Sequence, residues 1–232
     1  MVQIALVTAL LARTDLFGAL GDTDRRAIAE QMRETAYEPG QLIFAQGDAG
    51  DRIFLVVEGR VRLSVLSIDG RVLSFSHAST GNIFGEIAAL DGGGRTADAT
   101  ALTHVRTAAL ARAHLGRLVE TKPMVAQAAI AFLCARLRAT SGQAEAIALH
   151  PIEVRLARFL LSAVRIATGS KVGLARAELD LAMSQAELAL LLGASRQKVN
   201  AALAVLKEAG AINRVRGRIA CDMDELKRIA GS

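Results

Sequence analysis

The chain has 232 residues, enough for one large domain or two smaller ones, and 52% of them are hydrophobic, so core-forming material is ample. Aromatic residues make up 3% and tryptophan is absent, which argues against recognition of single-stranded nucleic acid by base stacking. The formal net charge of +5 is unevenly placed: residues 1–149 balance at 15 basic and 15 acidic side chains, whereas residues 150–232 carry 13 basic against 8 acidic, which makes the C-terminal third the candidate partner of nucleic acid.

Residues 2–12 are apolar but lack a basic leader and run at once into charged residues from Arg13, so they predict a short N-terminal helix rather than a secretory signal. From about Glu34 to Ala111 short strands are expected at 41–44, 52–57, 60–68, 71–76 and 105–111, punctuated by Pro39-Gly40, Gly47-Asp48, Glu58-Gly59 and a hairpin turn at Asp69-Gly70. Many short strands with frequent glycine turns suggest a small barrel or jelly-roll. Residues 123–149 read as one long helix in which Ile130, Leu133, Leu137, Thr140, Ala144 and Ile147 are spaced 3, 4, 3, 4, 3, the seam of a two-stranded coiled coil and hence of a homodimer. The apolar stretch 124–137 is broken by Gln127 and Arg136, so no membrane span is expected.

Beyond Pro151 the pattern turns to compact helices. Residues 152–167 are amphipathic. Ser184 caps a helix reaching Leu192, Gly193-Ala194 makes a turn, and Ser195 caps a second helix running to Ala209, with Gly210 at its end. Ala189, Gly193 and Val199 stand where a helix-turn-helix needs a small residue, a left-handed turn residue and an apolar contact. Residues 212–219 read as a basic hairpin with Gly217 at its turn; alternation places Arg214, Arg216 and Arg218 on one face, the expected phosphate-facing side of a wing.

The most informative stretch runs from Phe84 through Gly85-Glu86-Ile87-Ala88-Ala89-Leu90 to Gly92-Gly93-Gly94-Arg95-Thr96-Ala97. Glycines at 92–94 permit backbone shapes closed to other residues, a guanidinium fork suits a phosphate, and a carboxylate beside it can accept hydrogen bonds from a sugar hydroxyl. Together they suggest a ligand in which ribose and phosphate are fused. The string resembles the phosphate-binding cassette of cyclic-nucleotide-binding domains, Gly-Glu-x-Ala-Leu followed by Arg-(Ser/Thr/Ala)-Ala, with Ala89 where the family has leucine. The Pro39-Gly40 and Gly47-Asp48 turns resemble the opening of the same domain.

Taken in order, jelly-roll, long helix and winged helix, the chain resembles the cyclic-AMP receptor protein and its relatives among bacterial transcription regulators, from about Leu16 to Arg228. The resemblance implies an α+β fold with a cyclic-nucleotide-binding jelly-roll over 1–122, a dimerisation helix over 123–150 and a winged helix-turn-helix over 151–232. It implies cyclic AMP as allosteric ligand, with cyclic GMP as a second candidate, held by Gly85, Glu86, Ile87, Ala88, Arg95, Thr96, Ala97, Thr140 and Ser141. Thr140 would meet the purine of its own subunit's ligand, and Ser141 that of the other; the alternative for the Thr140 hydroxyl is a bond back to the helix carbonyl four residues earlier. The implied partners are a second copy of the chain, pseudo-palindromic double-stranded DNA and RNA polymerase, in the cytoplasm. DNA contacts are implied for Ser195, Arg196, Gln197, Lys198, Asn200, Arg214, Arg216 and Arg218. Arg196 matches a guanine-reading arginine, while Gln197 and Ala201 depart from the receptor-protein pattern, so the half-site should differ.

Cys134 and Cys221 form no cluster, and His77, His104, His114 and His150 show no ligand spacing, which argues against iron–sulfur, zinc and haem. No catalytic grouping or Walker loop is present, so an enzyme is not expected. The open alternative is a regulator of the same fold that is constitutive or senses another effector, such as cyclic GMP or a haem-bound gas.

Overall fold

The computed structural model describes residues 3–67, 72–168, 175–181, 183–215 and 218–231, apart from the side chains of Phe75 and Val215. The expected Asp69-Gly70 turn, Arg216 and Gly217 lie outside these residues. Internal contacts divide the chain into two compact units, residues 1–140 and 141–232.

The first unit opens with helices α1 (Ile4–Leu11) and α2 (Asp22–Gln31). The strands follow as β1 (Arg33–Tyr37), β2 (Leu42–Phe44), β3 (Arg52–Glu58), β4 (Arg60–Leu66), β5 (Val72–Ser79), β6 (Ile83–Phe84), β7 (Asp98–Ala101) and β8 (Val105–Ala111). The cassette forms a short helix, α3 (Glu86–Asp91), between β6 and β7, and α4 (Arg112–Thr121) leads into α5 (Pro123–Leu149), whose residues from Ser141 onward fall in the second unit. Two antiparallel sheets, ordered β1-β8-β3-β6 and β2-β7-β4-β5, make the jelly-roll. Phe54 and Val56 of β3 join Val61, Phe84, Ala99 and Val105 between the sheets. Ile53, Leu55 and Val57, on the other face of β3, pack with Val7, Leu10, Leu115, Val125 and Ala129 of the helices. That double burial explains the unbroken apolar run Ile53–Val57, because a strand covered on both sides has no solvent face to make polar.

The second unit contains α6 (Ile152–Thr168), β9 (Arg176–Leu179), α7 (Gln185–Leu191), α8 (Arg196–Glu208), β10 (Ile212–Val215), β11 (Arg218–Asp222) and α9 (Met223–Ala230). Its three strands form a sheet in the order β10-β11-β9. Ser184 and Glu187 form a reciprocal capping box at the start of α7, and Ser195 accepts from Lys198 N–H at the start of α8. Gly193 adopts φ +59°, and Ala189 and Val199 are buried between the two helices, as a helix-turn-helix requires. The elements β1, β6, β7, β9, α2, α3, α4 and α9 were not expected from sequence.

One expectation is corrected here. Arg214 pairs with Ile219, and Val215 with Arg218. Paired residues share a face, so Arg214 and Arg218 lie on opposite faces of the hairpin. Alternation holds along one strand, but the register between strands decides which faces match across the pair.

Candidate functional site

Gly85 caps α3 with φ +76°, and a Cβ there would lie 2.7 Å from Arg95 Nη1. Backbone conformation and the neighbouring guanidinium both demand glycine. Two of the loop glycines have different duties: Gly92 has φ +79°, whereas Gly94 has an ordinary φ but approaches Gly47 so closely that a Cβ would sit 3.1 Å from its carbonyl oxygen. Gly50 is a requirement that sequence reading missed. A Cβ on it would fall 2.1 Å from that of Ala88, so α3 seats only because residue 50 has no side chain.

The turn at 47–48 fixes Arg95. Arg95 N–H donates to the Asp48 carbonyl and Gly47 N–H donates to the Arg95 carbonyl, each at 2.8 Å. Its side chain is 4% exposed as a residue, with Nη1 donating to the Gly85 carbonyl at 2.8 Å and the guanidinium lying 4.3 Å from the Phe44 ring centroid. Nε is buried and has no hydrogen-bond partner. Asp51 Oδ1 stands 4.0 Å from Nη2, but Arg52 holds that carboxylate with two hydrogen bonds of 2.8 and 2.6 Å. Burial pulls the Arg95 pKa below its ordinary value, against the opposing pull of Asp51. A buried cation with an unused donor is costly unless an anion completes it.

Glu86, the first residue of α3, is also 4% exposed. Burial pushes its carboxyl above the usual carboxylate range, opposed by its own backbone hydrogen bond and by Arg136 and Arg95. Arg136 Nε lies 3.5 Å from Glu86 Oε1, and Arg136 Nη2 donates to the Ile83 carbonyl at 3.2 Å. Sequence reading assigned no role to Arg136; its signal is the four-residue spacing to Thr140, which puts both on one side of α5. Thr140 Oγ1 donates to the Arg136 carbonyl at 3.0 Å, and Thr140 and Ser141 are exposed. Of the remaining cassette residues, Ala88 and Ala97 are buried, Ile87 is half-buried and Thr96 is exposed. The structure therefore brings Gly85, Glu86 and Arg95 together and adds Arg136.

The groups of the cassette suit a phosphate joined to a sugar hydroxyl. The unpartnered Arg95 Nε is a fixed donor for a phosphate oxygen, and Gly85, at the N-cap of α3, offers no side chain to cap the first turn, so N–H groups beyond that of Glu86, which its own carboxylate engages, can supply more. Glu86 offers acceptor oxygens to a hydroxyl.

In the second unit Val199, Ala202 and Leu206 are the buried side of α8. At 100° per residue, Gln197 and Ala204 then point straight outward, with Asn200 and beyond it Arg196 on one flank, and Ala201 and beyond it Lys198 on the other. Arg196, Gln197, Lys198 and Asn200 are all exposed, while the Ser195 hydroxyl oxygen is engaged as the helix cap. A groove of about 260 Å³ separates α8 from the hairpin, lined among others by Asn200, Lys207, Asn213 and Arg214. Lys207 was not singled out from sequence. Arg218, on the other hairpin face, lies 3.7 Å from Glu178.

Among the described residues no group of three or more His, Cys, Asp or Glu side chains is placed to hold a metal ion. No single helix among them is long and apolar enough to cross a membrane. The cyclic nucleotide-binding domain family matches residues 34–122, and the Crp-like helix-turn-helix domain family matches residues 154–229. A CRP-like cAMP-activated global transcriptional regulator of Mycobacterium tuberculosis is 30% identical over 95% of this chain and 98% of its own. The chain belongs to the CRP-like family of transcription regulators. The Thermus thermophilus catabolite activator protein, at 29% identity, aligns over 94% of this chain and 98% of its own with a TM-score of 0.54. FixK2 of Bradyrhizobium japonicum shares the fold with a TM-score of 0.73 at 22% identity, over 87% of this chain and 98% of its own. As in that family, a cyclic-nucleotide-binding domain precedes a helix-turn-helix that binds DNA.

Proposed function

We propose that this regulator is a homodimer switched by cyclic AMP, which binds one nucleotide in each jelly-roll and a pseudo-palindromic DNA site with its paired α8 helices. The observation that carries the reading is the buried Arg95 guanidinium, unpartnered at Nε, beside the buried carboxylate-bearing Glu86. In this reading Arg95 and the amides of Ile87 and Ala88 hold the phosphate, with Gly85 giving it close approach and Thr96 and Ala97 closing the loop. Glu86 accepts from the ribose, and Arg136 holds Glu86 in place.

The preference for adenine follows from Thr140. Its hydroxyl proton is committed to the Arg136 carbonyl, which leaves oxygen lone pairs for an incoming donor. Adenine presents an exocyclic amine at the six position, whereas guanine presents a carbonyl, which Thr140 in this state does not satisfy. Ser141 would reach the partner's ligand. Dimerisation through α5 is supported by the exposure of the expected seam, where Ile130 and Leu137 are 63% and 67% exposed in a single chain. Sequence reading by Arg196, Gln197 and Asn200, phosphate contact by Lys198 and by Arg214 on the α8 side of the wing, an added partner in RNA polymerase, action by binding rather than catalysis, and residence in the cytoplasm complete the reading. Titration calorimetry of nucleotide-stripped protein with cyclic AMP and cyclic GMP tests it: tight binding of cyclic AMP with enhanced DNA affinity is expected. Absence of binding would leave a regulator of other control.

A further inference from the structure

The last carbonyls of α7 show how the helix-turn-helix is held. Backbone groups take three of them: Leu192 N–H donates to Leu188 at 3.0 Å, Ala194 N–H to Ala189 at 2.9 Å and Gly193 N–H to Leu190 at 3.3 Å. Side chains from two other helices take the next two. Gln143 Nε2 of α5 donates to the Leu191 carbonyl at 3.1 Å, and Arg155 Nη1 of α6 donates to the Leu192 carbonyl at 2.6 Å. A helix leaves its final carbonyls without partners of its own, so both contacts cap α7 at the turn that aims α8. Their sources differ. α6 buries Leu156, Leu160 and Val164 in the same core as α7 and α8, so Arg155 anchors the turn from that core, while Gln143 lies in the same unit but on α5. Gln143 belongs to the helix that carries Thr140, three residues earlier and about 4.5 Å along the axis.

We propose that Gln143 is a positioning residue for the recognition helix: its amide ties α5 to the turn between α7 and α8, so that a shift of α5 at Thr140 and Ser141 reaches the DNA-reading surface. The proposal rests on the reading of those two residues as ligand contacts. The contact requires a donor at position 143. Gln143→Glu has nearly the same shape but presents a carboxylate to a carbonyl, Gln143→Ala presents nothing, and Gln143→Lys restores an N–H donor.

The test uses the full chain and a labelled DNA site, with affinity measured with and without cyclic AMP. The ratio of the two affinities should fall about two- to tenfold in Gln143→Glu and Gln143→Ala, the range of one hydrogen bond, and recover in Gln143→Lys, with nucleotide affinity in the absence of DNA unchanged. A residue that merely supported the fold would weaken DNA binding equally in both conditions, and an unchanged ratio overturns the proposal. Amide hydrogen exchange without ligand gives a second readout: residues 191–194 should exchange faster in the Glu and Ala variants while α6 does not. Unaltered exchange also overturns it. Should wild-type protein not respond to cyclic AMP at all, the nucleotide reading fails and the coupling with it, while exchange still reports whether Gln143 holds the turn.

Discussion

Arg95 and Glu86 are two charges placed where water cannot reach them, and each should respond differently to loss. Arg95→Ala removes the fixed cation of the phosphate site and should lower cyclic-AMP affinity on the order of a hundredfold, as measured by calorimetry, with the protein still folded. Near-normal affinity would sink the cassette assignment. Glu86 has a folded pKa raised by burial. Its contribution to stability is therefore full at low pH, below the unfolded value, and is lost as pH rises through the folded pKa. Thermal melts of ligand-free wild type and Glu86→Gln between about pH 4 and about pH 8 should show this: the wild type loses stability relative to the variant across that rise. A constant difference would mean that Glu86 does not titrate as burial dictates. At this scale the sequence was informative about residues inside one motif and silent about remote ones. Gly85, Glu86 and Arg95 lie within a single recognisable string, but Arg136 is fifty positions further on and joins them only when α5 lies along β5 and β6. Gly50 was equally hidden, because its need to be glycine depends on Ala88 lying against it.

The elements divide in the same way. β3 was legible because five consecutive apolar residues leave little alternative to a buried strand, whereas β1, reading RETAY, and β7, reading DATA, are strands chiefly because β8, β2 and β4 pair with them. The hairpin shows a subtler failure: the arginine spacing was visible, but the face of each depended on the register between strands. That correction separates two variants. Arg214→Ala, beside the α8 groove, should weaken binding to all DNA sequences and reduce the salt slope by about one. Arg218→Ala, on the opposite face near Glu178, should do less, and equal effects would show that both faces meet DNA. Arg196→Ala should instead relax discrimination at one guanine per half-site by about 1–3 kcal/mol. The seating of α3 can be tested with Gly50→Ala, whose added methyl meets Ala88; overpacking of this kind costs about 1–3 kcal/mol. The melting temperature and nucleotide affinity should both fall, and Ala88→Gly in the same chain should restore part of each.

For the molecule as a whole, the proposed switch requires two copies and one continuous helix. Leu137→Asp should yield monomers in sedimentation experiments and abolish tight binding to a two-half-site DNA, while a variant that stays dimeric would place the interface elsewhere. Thr140→Ala and Ser141→Ala should keep most nucleotide affinity yet lose most of the nucleotide-induced gain in DNA affinity, since a ligand shifts an equilibrium only through its differential affinity for the two states. Full cyclic-AMP-dependent DNA binding in both would move the switch to the cassette loop. The order of domains was readable from sequence because each carries its own periodicity. The tie from the end of α5 to α7 inside the second unit was not, since an amide on one helix reaching a carbonyl on another leaves no trace in either local pattern. The two-sided burial of β3 has a practical consequence for dissecting the protein. A fragment cut to residues 34–122 would keep the sandwich side of that strand covered but strip Val7, Leu10, Val125 and Ala129 from its other side. It should therefore express poorly or aggregate, whereas a fragment running from the first helix through residue 140 carries its own lid of apolar side chains and is the piece to prepare for ligand studies.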